Sequence, residues 1–173
     1  MPKIIENLRE RLLEEARLQV DTLGYGQVTV RGIASACGVG VGTVYNYFPS
    51  KENLIASFMT EDWNTALNEM LLPAEGCDAK SLLLSEYKGL SSFVRMHAKL
   101  FSDPDAIRIF SSIPRDRHLM LRRQLSEPLE HILSKSGKTN AAFLAEFLAE
   151  SLLTWSLAGI PEEELFSVLD PLL

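Results

Sequence analysis

Cysteine is scarce in this chain: Cys37 and Cys77 stand 40 residues apart, with no CxxC pair and no histidine cluster beside them. That spacing supports neither a disulfide framework nor a zinc site, so no metal and no other cofactor is expected. Eight prolines and ten glycines are too few for a disordered or fibrous chain. The opening Met1-Pro2-Lys3-Ile4-Ile5-Glu6 lacks the charged-then-apolar pattern of a secretory leader. No run of about 18 apolar residues occurs, so no membrane span is expected, and a reducing, cytoplasmic location follows. Catalytic signatures are missing too. There is no Gly-rich phosphate loop and no nucleophile elbow, and His97, His118 and His131 lack a compelling Ser, Cys or carboxylate arrangement, so an enzyme is not expected.

Excess positive charge is also absent. The net charge of −6 argues against a protein that coats nucleic acid indiscriminately. A local binding face remains open, because the distribution of charge governs more than its total. Residues 22–51 contain Arg31 and Lys51 and no acidic side chain, a small basic window in an acidic chain.

What is present is helical periodicity. Hydrophobic residues make up 46% of the chain, enough for a core, and they recur at spacings of three and four. A first helix is predicted over about residues 3–23, with Ile4, Leu8, Leu12, Ala16, Val20 and Leu23 on one stripe and Gly24 closing it in the left-handed conformation. Thr29 is placed to cap a short helix carrying Val30, Ile33, Ala34 and Cys37. After Gly38-Val39-Gly40 a third helix carries Val41, Val44, Tyr45 and Phe48. Pro49 closes it, and Ser50 caps a fourth helix to about Leu71. Leu72 to Asp78 reads as a linker. Helices follow at roughly 79–102, 104–113, 116–135, 139–158 and 161–172, with Pro104, Pro114 and Pro161 at starts that tolerate proline. The expected fold is all-α: an N-terminal three-helix unit at 1–49 and a helical bundle at 50–173, helix 50–71 connecting the two.

The strongest signal lies at 30–48. Two helices that cross steeply through a short turn need a small residue at the crossing, a turn residue that accepts positive φ, and an apolar residue that docks the second helix. Ala34, Gly38 and Val44 supply the three in the right order. Burying Val44 and Phe48 turns Gly42, Thr43, Asn46 and Tyr47 outward, with Tyr45 at the flank. Gly42 lets the backbone approach a base or phosphate, Thr43 suits a phosphate or a thymine methyl, and Asn46 suits adenine. Tyr45 and Tyr47 offer hydroxyls to phosphates. Lys51, Thr29 and Arg31 sit at or near helix N-termini, which favour anions.

Residues Gly38 to Leu54, read together as GVGVGTVYNYFPSKENL, closely resemble the DNA-binding signature of the tetracycline-repressor (TetR) family. Thr29-Val30-Arg31-Gly32-Ile33-Ala34 resembles that family's second helix, and the likeness spans about residues 4–58. The resemblance implies DNA contacts from Thr43, Tyr45, Tyr47 and Lys51, and more variable ones from Thr29, Val41, Gly42 and Asn46. It also implies a transcriptional regulator, most simply a repressor that a small molecule releases from a palindromic duplex operator; activation remains an alternative. An interaction module with a vestigial DNA head is a further alternative.

Beyond residue 72 the signals are compositional. The stretch Ala141 to Ala158 is apolar on nearly every side, so it must be buried on nearly every side. One face can meet the chain's own core and the other a second copy. Phe143, Phe147, Leu148, Leu152, Phe166 and Leu169 are therefore the expected dimer interface, and the resemblance favours pairing through the last two helices. Tyr87, Phe93, Met96, His97, Phe101, Phe110, Met120 and Trp155 are candidates to line an effector pocket, with Tyr87 and His97 as its polar groups. Arg108, Arg115, Arg117, Arg122 and Arg123 form a run that reads as a solvated face or, alternatively, as an attractor for an anionic effector.

Overall fold

The computed structural model describes residues 7–72, 76–110 and 115–173, the side chains of residues 110, 115 and 116 excepted. Ile4, Pro114 and the side chains of Phe110 and Arg115, all used above, lie outside the described residues. Among the described residues the chain forms ten α-helices and no strand: α1 Leu8–Leu23, α2 Val30–Ala36, α3 Val41–Tyr47, α4 Lys51–Leu71, α5 Ala79–Met96, α6 Ala98–Ser102, α7 Pro104–Phe110, α8 Arg115–Lys135, α9 Ala141–Ala158 and α10 Glu162–Leu169. The all-α expectation is met.

The chain divides into two compact units, Met1–Trp63 with His97–Ser112 and Asn64–Met96 with Ile113–Leu173. This differs from the expected boundary after residue 49: the first part of α4 and the segment from His97 to Ser112 join the N-terminal helices.

The first unit is built on a leucine stripe. Leu8, Leu12, Ala16 and Val20 repeat every four residues along α1 and are buried against Ile33 and Ala34 of α2, Val44 of α3 and Leu54, Ile55 and Phe58 of α4. Leu100 and Ala106 complete the same cluster. Gly24 ends α1 by donating its N–H to the Val20 carbonyl at 2.9 Å. Its φ of 81° is positive as expected, but its ψ of 158° is extended, so the chain runs on into a 3₁₀ turn at Tyr25–Gln27. The turn is tied to the start of α7, because one Asp103 carboxylate accepts from the backbone N–H groups of Gly26, Asp105 and Ala106 at 3.2, 2.9 and 3.1 Å. Those bonds, Ala106's foremost, hold the Asp103 carboxyl below its usual range.

The helix expected over 79–102 breaks at His97, whose φ of −104° and ψ of 22° are not helical. The cause is packing far away in sequence. The His97 ring is buried, stacks on Phe58 with centroids 6.1 Å apart, and lies 3.3 Å from the Asp62 carboxylate. Arg17 grips the same carboxylate through Nε at 3.0 Å to both oxygens. Burial pushes the His97 imidazole below its ordinary pKa, against the opposing pull of Asp62.

The second unit packs the rest of α4 with α5, α8, α9 and α10. Its core is leucine-rich: Leu82, Leu83 and Leu90 on α5, Leu125, Leu129 and Leu133 on α8, Leu144, Leu148 and Leu152 on α9, and Leu165 and Leu169 on α10. At Gly89 a Cβ would run into the Met70 side chain, so glycine is what lets Met70 seat on α5. α9 is long and apolar enough by composition to span a membrane. Here it packs on α5 and α8, and its Glu146 and Glu150 pair with Arg122.

Gly38 has φ +70° with nothing within 4 Å of where a Cβ would stand. Gly38→Ala therefore isolates backbone strain, and a loss of about 1 kcal/mol is expected in urea denaturation.

Candidate nucleic-acid interface

The angle between α2 and α3 is set by a Schellman turn. Val39 N–H reaches back to the Ala34 carbonyl at 2.9 Å and Gly38 N–H to the Ser35 carbonyl at 3.1 Å. Arg11 of α1 donates to the Cys37 carbonyl at 3.2 Å, satisfying another orphan acceptor at that helix end. Ala34 is buried at the crossing, and Val44 is fully buried beneath α3. Thr29 caps α2 as expected, its Oγ1 accepting from Gly32 N–H at 3.0 Å, and its hydroxyl hydrogen stays free to donate outward. Phe48 is extended, as a residue before proline prefers to be, and its buried ring closes the far end of α3.

This docking rotates α3 so that Gly42, Tyr45, Asn46 and Tyr47 are exposed, with Val41 and Thr43 half-buried at the edges. The two tyrosines are about half exposed, 49% and 47%, which removes core packing as the reason for either. Arg31 is exposed on α2. A Cβ on Gly42 would meet nothing within 4 Å, so nothing within the chain requires glycine there.

Lys51 is held by a residue that periodicity does not reveal. Tyr25 is buried, and its hydroxyl donates to Glu52 Oε1 at 3.2 Å. The Lys51 ammonium donates to the Tyr25 carbonyl at 3.0 Å and lies 3.9 Å from the centre of its ring. Burial first, then the neighbouring Glu52, pushes the Tyr25 phenol up to about 12. Hydrogen bonding at the start of α4, led by its own backbone N–H, holds the Glu52 carboxyl below its usual value. Ser50 caps that helix as expected, accepting from Asn53 N–H at 3.2 Å. Lys51 is thus fixed beside α3.

The eight candidates for an effector pocket fall in both units. His97 and Phe101 belong to the first unit, and Tyr87, Phe93, Met96, Met120 and Trp155 to the second. Met96 and Met120 are exposed. The Tyr87 hydroxyl is taken by the Ile160 carbonyl, and the Phe110 side chain lies outside the described residues. Trp155 lines an open groove of about 360 Å³ with Ile160, Glu164, Leu165, Ser167 and Val168. The arginine run is dispersed: Arg108 pairs with Asp105, Arg122 with Glu146 and Glu150, and Arg123 with Glu127, while Arg117 is exposed.

The expected dimer set divides in two. Leu148, Leu152, Phe166 and Leu169 face their own core, whereas Phe143 and Phe147 are 73% and 46% exposed, near Leu157 in sequence on the same helix. The chain's own core takes one face of α9, with Leu148 and Leu152, and one of α10, with Phe166 and Leu169.

One polar group was missed. Glu86 stands in the apolar stripe of α5 between Leu82, Leu83 and Leu90, fully buried, with no hydrogen-bond partner on either carboxyl oxygen. The signal was legible: an acid in the slot that the stripe Ala79, Leu82, Leu83, Leu90, Phe93 assigns to a core side chain. Burial alone pushes its carboxyl well above the usual range, with no neighbouring charge contributing.

The fold and the exposed face of α3 define the class: a helix-turn-helix head joined to a helical unit. Residues 12–58 match the model of bacterial regulatory proteins, tetR family, so the likeness to that family covers the helix-turn-helix head. It is 34% identical over 68 residues to the HTH-type transcriptional regulator UidR of Escherichia coli K12, covering 39% of this chain and 35% of that one. It is 36% identical over 56 residues to the HTH-type transcriptional repressor KstR of Mycobacterium tuberculosis, covering 32% and 26%. The match therefore spans about a third of the length of these curated relatives. A transcriptional regulator from Cytophaga hutchinsonii is similar over 87% of this chain and 81% of its own, at 26% identity and a TM-score of 0.64.

The raised Glu86 carboxyl fixes a sign. The folded state keeps this proton to higher pH than the unfolded chain, so the Glu86 contribution to stability is full below the ordinary glutamate pKa and is lost as pH rises through its raised value. Glu86→Gln removes that loss. The melting temperatures of the two proteins should lie close at pH 5 and diverge in favour of the variant by pH 8.

Proposed function

We propose that this chain is a sequence-specific duplex DNA-binding transcriptional regulator, acting in the cytoplasm as a homodimer and as a repressor released by a small molecule. The observation that carries the reading is α3: docked by Val44 and Phe48, it presents a polar, aromatic face with a glycine that the chain's own packing does not need. Thr43, Asn46 and Gly42 meet base edges or the nearby backbone, and Tyr45, Tyr47, Lys51, Thr29 and Arg31 meet phosphates, with Val41 at the margin. The exposed Phe143, Phe147 and Leu157 are apolar surface of the kind a second copy covers. Two copies related by a two-fold axis carry two recognition helices to successive major grooves about 34–36 Å apart. Release needs only an effector that favours one conformation by about 1–3 kcal/mol.

Gly42 separates this reading from a purely structural one. Gly42→Ala should leave stability unchanged or raise it by a few tenths of a kcal/mol. It should nonetheless weaken binding to the duplex upstream of the protein's own gene, in fluorescence anisotropy, by tenfold or more. Lys51→Ala should weaken binding to all sequences and lower the salt slope by about 0.9. Unchanged DNA affinity in both variants contradicts the assignment of this face.

A further inference from the structure

The second unit holds one buried polar side chain that its own structure does not use. Ser126, Ser151 and Ser156 are buried, and each turns its hydroxyl back to a carbonyl of its own helix, at Arg123, Phe147 and Leu153. Tyr87 spends its hydroxyl on the Ile160 carbonyl. Glu86 alone, among the described buried groups of this unit, has two carboxyl oxygens with no partner. Buried polar atoms without partners are rare, and one in the middle of a leucine stripe calls for a reason outside the chain's own packing.

The surroundings say what that reason is. An anion is repelled by a carboxylate, and the unit itself carries 13 Asp and Glu against 9 Lys and Arg. A cation gains an ion pair that low polarity strengthens, with its charge-assisted hydrogen bonds. Three residues along the same helix, Gly89 carries the buried side chain of Met70, an unbranched residue of the adaptable kind that lines ligand sites. We propose that Glu86 is the polar anchor of a ligand site inside the second unit, and that its ligand is an organic cation with a protonated amine and an apolar body. The inference rests on reading this unit as the effector-binding part. On binding, the ammonium keeps its protons, a proton held by the Glu86 carboxyl passes to the buffer, and an ion pair forms.

The test is isothermal titration of the full chain at pH 7 with hexylamine, 1-hexanol and hexanoate, in two buffers of different ionisation enthalpy. Hexylamine should bind at least tenfold tighter than the alcohol or the acid, with protons released to the buffer. Glu86→Gln should weaken the amine at least tenfold and abolish proton release while leaving 1-hexanol unchanged. Glu86→Asp, with the carboxyl withdrawn by one methylene, should keep the preference for amine at lower affinity. Helix content by circular dichroism checks both variants. Equal binding of amine and alcohol, no proton release, or wild-type amine binding by Glu86→Gln overturns the site. Amine that binds through Glu86 without lowering the affinity for duplex DNA supports the site and counts only against the effector reading.

Discussion

Val44 sits in the angle between α2 and α3 with no exposed surface, and the orientation of everything on α3 follows from that. A helix of seven residues, entered through Gly40 and Gly42, cannot hold itself in water. Burying a valine contributes about 1.5–3 kcal/mol, and with Phe48 at the other end it fixes the rotation of the helix about its axis. A rotation of a third of a turn would bury Asn46 or Tyr45 and expose Val44. The Schellman turn at Gly38 sets the crossing angle, and the Tyr25–Glu52 bond sets where the next helix begins and hence where Lys51 stands. The outward face is a consequence of the inward one.

The head was legible in the sequence because its determinants are local. Ala34, Gly38 and Val44 span eleven positions, and the caps at Thr29 and Ser50 act within three residues. What was not legible depends on partners far along the chain. The break at His97 comes from Phe58 and Asp62, the bend after Gly24 from a turn that Asp103 helps to fix, and neither leaves a mark in local periodicity. The compact units differ from the boundary expected after residue 49 for the same reason, since α6 and α7 join the first core through Leu100 and Ala106. In α9, composition showed that two faces would be covered but not which residues lay on each. An all-round apolar helix carries no phase, so Leu148 and Leu152 were grouped with Phe143 and Phe147.

The two units treat buried charge in opposite ways. In the first, Asp62 is gripped by Arg17 and faced by His97, and the arrangement ties α1, α4 and the α5–α6 junction together. In the second, the buried Glu86 carboxyl has no partner, and burial raises its pKa. A paired charge fixes geometry, whereas an unpaired one favours whatever supplies a partner.

The most direct test of the account is selection of duplexes from a random library by the full-length chain, followed by sequencing. The account predicts enrichment of an inverted repeat whose half-sites are centred about 10 base pairs, or a multiple of that, apart. A pool that stays random after successive rounds would contradict it.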